Sequence, residues 1–342
     1  MTPSIYVGGR LTPRPLGGEG WEAFVIKGQI ALYAVWMLVL LALSACTSGG
    51  VLELVSSSHS GVAYDVYLEA GYAYVANNDG VHIFDVSQAD RPQKIGEFLS
   101  GNSFGVFVKD GLAYIAGGTG LFIVDVRNPT NPQRLGEHAS EGAPSQVSVD
   151  GSYAYLATST GLEIVDVRDP STPTLIGSFV SNGGAQSVAI HDGYVYLANP
   201  RVGLEVIDVT APSSPQKIGT VYGTQGAWDI HTHDEFAYVG CHNTGVRILD
   251  LSDSEAPEVV GRFNDDDGGE ALGVWGDHEY LYVADNFGVE VLDVKDPTSP
   301  YEIGEYARVN GAHDLYVDGT FVYVAEGRRG LIILEFNGTR AR

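Results

Sequence analysis

Residues Gly161 to Gly177 read GLEIVDVRDPSTPTLIG, and close copies of this stretch recur along the chain. They are GVHIFDVSQADRPQKIG from Gly80, GLFIVDVRNPTNPQRLG from Gly120, GLEVIDVTAPSSPQKIG from Gly203, GVRILDLSDSEAPEVVG from Gly245 and GVEVLDVKDPTSPYEIG from Gly288. A seventh, truncated copy, GLIILEF, starts at Gly330. The acidic residue of each copy falls at Asp85, Asp125, Asp166, Asp208, Asp250, Asp293 and Glu335, a step of 40 to 43 residues. A fixed period of this size marks a repeat architecture.

Each unit contains four short apolar runs. The first alternates and ends in a turn such as Asp110-Gly111, Asp150-Gly151 or Asp318-Gly319, a strong hairpin signal because both residues tolerate positive φ. The second carries a tyrosine in all seven units, from Tyr74 and Tyr114 to Tyr282 and Tyr323. The third is the quoted strand. The fourth follows a proline turn, such as Pro170 to Pro173, and is expected at the outer edge, where a missing backbone donor is tolerated. No apolar run of helical period occurs beyond residue 45, so the class is all-β.

Four strands in about 42 residues bury too little alone, but radial copies bury each sheet between its neighbours. The expected fold is a seven-bladed β-propeller of four-stranded antiparallel blades spanning 51–337, with 338–342 as a tail. The last unit lacks a fourth strand, while Val51 to Val55 (VLELV) is a strand without a blade, so the two are expected to pair and close the ring. An open ring would leave a sheet edge unpaired.

Before the repeats, the apolar run Ile30 to Leu43 follows a basic flank (Arg10, Arg14, Lys27) and leads to Leu43-Ser44-Ala45-Cys46. The order is that of a secretory signal, and the junction resembles the lipobox of bacterial lipoproteins. The expectation is a removed segment 1–45, a lipidated Cys46 with a tether over 46–50, and a membrane-anchored protein exported to the cell envelope. A retained transmembrane anchor is disfavoured, because the run is shorter than the roughly 20 residues a spanning helix prefers. Cys241 is then the remaining thiol and no disulfide is available. The net charge of -24 would repel phosphates, so nucleic acid is not an expected partner.

The repeated Gly-Leu-x-Ile-Val-Asp-Val, as in Phe122-Ile123-Val124-Asp125-Val126 and Glu163-Ile164-Val165-Asp166-Val167, resembles the LVIVD-repeat family. The resemblance implies a seven-bladed propeller on an exported or surface-anchored protein, and it brings no catalytic motif with it.

Residues repeated in every unit belong to the scaffold, so the tyrosines and the Asp85 to Glu335 series are read as structural. Irregular positions are the functional candidates. On the loops joining strands two and three, and those joining consecutive blades, they are Trp228, His242, Phe287, His313, Arg328 and Arg329, expected to face a protein or glycan partner. At the start of the first strand, the units carry Asp65, Gly105, Gln146, Ser187, Asp229, Gly273 and Asp314. The three aspartates could hold Ca²⁺ or Mg²⁺, hard cations that take oxygen ligands, although the main expectation is no cofactor. The alternative to a binding module is a metal-dependent hydrolase or lyase using His313, Asp314 and Asp229 at the channel mouth. His231 and His233 resemble a metal pair, but their register places them on the far face from His242, so these three are not expected to form a zinc site. The acidic loop Asn264 to Glu270 lacks the spacing of a calcium loop.

Overall fold

A computed structural model describes residues 52–59, 61–264, 268–307 and 311–338. The expected signal segment 1–45, Cys46 and the expected tether lie outside the described residues. Every regular element among the described residues is a strand. Twenty-eight strands form seven sheets of four, each antiparallel, and six blades are built from four consecutive strands. The innermost strand is the first of each unit: Ala63–Glu69, Ser103–Lys109, Pro144–Asp150, Ser187–His191, Asp229–His233, Gly273–Gly276 and Ala312–Asp318. The proline turns lead into the outer strand, such as Thr174–Val180, which is half-buried to exposed.

The seventh blade closes the ring. Its last strand in sequence, Gly330–Phe336, pairs with Leu52–Ser58 at the other end of the domain, from Leu52 opposite Phe336 to Ser58 opposite Leu331. The N-terminal strand is longer than VLELV alone suggests. After an irregularity between Leu54 and Ser56, three serines continue the ladder, because hydrogen bonding there needs only backbone.

The cores lie between blades. Tyr74 and Val81 of the first blade pack with Val106 and Ile115 of the second, and the pattern repeats round to Val66 and Val75 of the first blade against Leu331 and Ile333 of the seventh. Closure therefore completes the last interblade core as well as the last sheet. The repeated tyrosines stand in these interfaces. The Tyr196 hydroxyl donates to the Ser254 carbonyl of the next blade at 2.9 Å, and the Tyr238 hydroxyl to the Asp277 carbonyl. Buried phenols need such partners.

The repeated aspartates act locally. In six of the seven units the carboxylate accepts the backbone N–H two residues on, as Asp85 does from Ser87 at 3.0 Å and Asp208 from Thr210 at 2.8 Å. This Asx turn directs the chain from the third strand into the proline segment. Arg127 and Arg168 add side-chain bonds to Asp125 and Asp166, and these bonds hold both carboxyls below the usual range.

A candidate binding channel with a carboxyl waist

Seven innermost strands surround the axis, and alternation sends every second side chain into it. Three columns of residues result, stacked along the channel.

The middle column is Asp65, Gly105, Gln146, Ser187, Asp229, Gly273 and Asp314, the set singled out in the sequence. Its Asp65, Gln146, Ser187, Asp229 and Asp314 stand where the two axial cavities meet. A Cβ on Gly273 would lie 2.7 Å from the Asp314 Cα, and one on Gly105 would lie 2.8 Å from the Gln146 Cα, so glycine permits the close approach. The three aspartates converge here. Asp65 accepts the Val106 N–H at 2.6 Å and the Gln146 Nε2 at 3.1 Å. Asp229 accepts the Val274 N–H at 2.9 Å and a bond from the Ser187 hydroxyl. The Asp314 carboxyl hydrogen-bonds to Asp65. Burial, then the bond and charge of Asp65 and the charge of Asp229, push the Asp314 carboxyl well above the carboxylate range. Burial also raises the Asp229 carboxyl, against the donors that surround it. A proton shared between carboxyls is the expected state of such a cluster. A Ca²⁺ or Mg²⁺ at this level would have to displace both that proton and the backbone donors.

The upper column precedes the middle one by a residue: Tyr64, Phe104, Ser145, Gln186, Trp228, Leu272 and His313 all line one cavity of about 430 Å³. Successive residues on a strand ordinarily point to opposite sides. Here bulges between Ala63 and Asp65, Ser103 and Gly105, Pro144 and Gln146, and Ala312 and Asp314 leave the intervening residue unpaired and turn it inwards. The Tyr64 ring lies 5.1 Å from Phe104 and 5.7 Å from His313, and Trp228 lies 5.3 Å from His242. Burial lowers the pKa of His313, with the charge of Glu326 opposing.

Of the sequence candidates, Trp228 and His313 thus share the upper cavity with Asp65, Asp229 and Asp314. His242 stands beside Trp228 in the turn between strands two and three, 3.4 Å from the Glu270 carboxylate. Phe287, 46% exposed, and the Arg328 and Arg329 pair occupy equivalent turns outside the cavity wall. There the carboxylates of Asp285 and Glu326 hold the turn backbone. Part of the acidic loop, 265–267, lies outside the described residues. Cys241 is fully buried, and burial pushes its thiol up to about 11, which makes it an inert core group.

The lower column contains His231, which does not meet His242. His233, however, meets partners the sequence reading did not consider. Ligand atoms of His233, Asp234 and His278 lie within 4.8 Å of one another on the hairpins of blades five and six. His278 Nε2 is 2.8 Å from the Asp234 carboxylate, and that bond holds the carboxyl below its usual range. Two imidazoles and a carboxylate form a donor set suited to zinc.

A closed seven-bladed propeller with cavities on its axis defines the class of protein. The chain belongs to the LVIVD repeat family: the repeat matches seven times, over 60–98, 100–138, 141–181, 182–222, 225–265, 268–308 and 311–335. No curated protein matches the sequence. Solved structures share the fold at low identity. The computationally designed Ika8 protein aligns with a TM-score of 0.62 and 9% identity over 83% of this chain and 99% of its own. The Cps50 (Swd1) β-propeller domain of Myceliophteria thermophila aligns with a TM-score of 0.66 and 12% identity, over 84% of this chain and 99% of its own.

Proposed function

We propose that the protein is a lipid-anchored binding module of the cell envelope, which holds a glycan at the mouth of its channel. The observation that carries the reading is the upper cavity: aromatic walls from Tyr64, Phe104 and Trp228 over a floor of Asp65, Gln146, Ser187, Asp229 and Asp314. Sugars present C–H faces that pack on aromatic rings and hydroxyls that bond to carboxyl, amide and hydroxyl groups. A pocket of about 430 Å³ suits one or two sugar rings better than the broad face of roughly 800 Å² that a stable protein partner needs. Among the described residues no lysine or arginine lines it, which favours a neutral or amino sugar over an acidic one.

The test is a glycan array probed with the full chain in non-ionic detergent, followed by Trp228→Ala. Saturable binding that weakens at least about tenfold in Trp228→Ala, with melting unchanged, is expected from the loss of one stacking platform. Retention of no glycan, or equal binding by the variant, would remove the reading. Anchoring has its own test: Cys46→Ser should abolish metabolic labelling with a fatty acid, and undiminished labelling would sink it.

A further inference from the structure

Beyond the carboxyl waist the channel opens into a second cavity of about 410 Å³. Its wall is the lower column, whose members sit directly across the ladder from the repeated tyrosines: Tyr67 opposite Tyr74, Phe107 opposite Tyr114, His231 opposite Tyr238, Trp275 opposite Tyr282 and Tyr316 opposite Tyr323. Blades three and four place Ser148 and Ala189 there, opposite Tyr155 and Tyr196. The blade therefore folds without an aromatic at this position, yet five blades carry one.

The five rings form a continuous arc. Centroids are 4.9 Å apart from Phe107 to Tyr67, 5.2 Å from Tyr67 to Tyr316, 6.3 Å from Tyr316 to Trp275 and 5.3 Å from Trp275 to His231. The small side chains of Ser148 and Ala189 leave room for an occupant. Every ring is uncharged at neutral pH: burial pushes the His231 pKa down to about 4 and raises those of Tyr67 and Tyr316.

The surroundings are negative. Asp65, Asp229 and Asp314 form the inner end, and among the described residues no lysine or arginine lines the wall. At the outer end each of the seven hairpins between first and second strands carries an acidic residue, from Glu69 and Asp110 round to Asp277 and Asp318, against one lysine, Lys109. This distribution concentrates cations at the opening and repels anions.

We propose that the lower cavity binds a methylated ammonium group, its methyls packed on the rings of Tyr67, Tyr316 and Trp275 and its charge facing Asp65, Asp229 and Asp314. Aromatic faces attract such a cation through their quadrupole, and a methylated ammonium surrenders its water more readily than a primary amine or a metal ion. It also supplies the positive charge that the waist lacks. The inference is independent of the glycan reading, which concerns the opposite end of the channel.

Isothermal titration of the full chain in non-ionic detergent with tetramethylammonium and choline, against the neutral isostere 3,3-dimethylbutanol, tests it. Both cations are expected to bind saturably, with the isostere at least about tenfold weaker. Tyr67→Leu should lose about tenfold or more, Tyr67→Phe should stay within about threefold because the ring is kept, and Trp228→Ala should have no effect. Absence of cation binding by the folded wild type, or equal binding of the isostere, would overturn the proposal. So would unchanged affinity in a folded Tyr67→Leu variant.

Discussion

Two adjacent positions of each blade behave in opposite ways. On the second strand the same tyrosine appears seven times, buried between blades. Across the ladder on the first strand stand Tyr67, Phe107, Ser148, Ala189, His231, Trp275 and Tyr316, six residue types over seven positions. The outward-turned member meets the same surface in every blade and is fixed by packing. The inward-turned member lines the channel and only flanks the interblade cores, as Tyr67 and Phe107 do, so its type is free to vary with what occupies the channel. Repetition within one chain therefore separates the residues that build the ring from those that use it.

The scaffold side is broken most severely at its seam. Removing 52–58 would leave Gly330–Phe336 without its outer partner and open the core shared by blades seven and one. Calorimetry should show the melting temperature falling by more than roughly 15 °C, or the single transition lost, since the cost exceeds several buried side chains. A truncated domain that melts like the whole would mean the ring does not depend on its closure.

The waist offers an effect of opposite sign. Asp314 has a raised pKa in the folded protein, so the native state holds a proton that the unfolded chain releases. Its stabilising share is full below the unfolded pKa of about 3.9 and is lost as pH rises towards the folded value. Asp314→Asn keeps a donor for Asp65 without the charge. It should raise the melting temperature by a few degrees at pH 8 and by less at pH 4. A variant less stable than wild type at pH 8 would contradict the shared-proton arrangement.

His231 sharpens the contrast in the acid range. Its folded pKa of about 4 lies below the unfolded value, so it contributes stability above about pH 6.5 that is lost as pH falls towards 4. His231→Phe should flatten that part of the pH–stability curve, and an unchanged curve would place the acid sensitivity elsewhere. The smallest change expected is at the Asx turns. Asp208→Ala, at the half-buried end of the strand Gly203–Asp208 with its bond to Thr210 on the surface, should shift melting by less than about 2 °C, because surface turns contribute little.

The blades were legible because a period of about 42 residues survives in any order of reading, and closure followed from one strand too many at the start and one too few at the end. The serines that extend the first strand were hidden because Ser56 to Ser58 carry no apolar signal, although their backbone pairs with Leu331 to Ile333. In the channel, the aspartates could be aligned by register, and they do converge. Tyr64 and Phe104 were missed as wall residues because a bulge is a backbone event with no residue of its own to announce it. The aromatic arc looked like ordinary strand alternation until its partners were seen to be constant. His233, Asp234 and His278 come from two blades, and comparing units one above another conceals contacts made sideways around the ring.

The most direct measurement is thermal melting of two single variants on one rung of one blade, Tyr238→Ala and His231→Ala. Tyr238 is 2% exposed and bonded to the next blade, and its loss should cost roughly 10 °C, as large aromatic truncations do. His231→Ala reproduces what blade four already carries at Ala189, and it should stay within about 3 °C of wild type. Equal losses at the two positions would mean that the channel column is part of the scaffold after all.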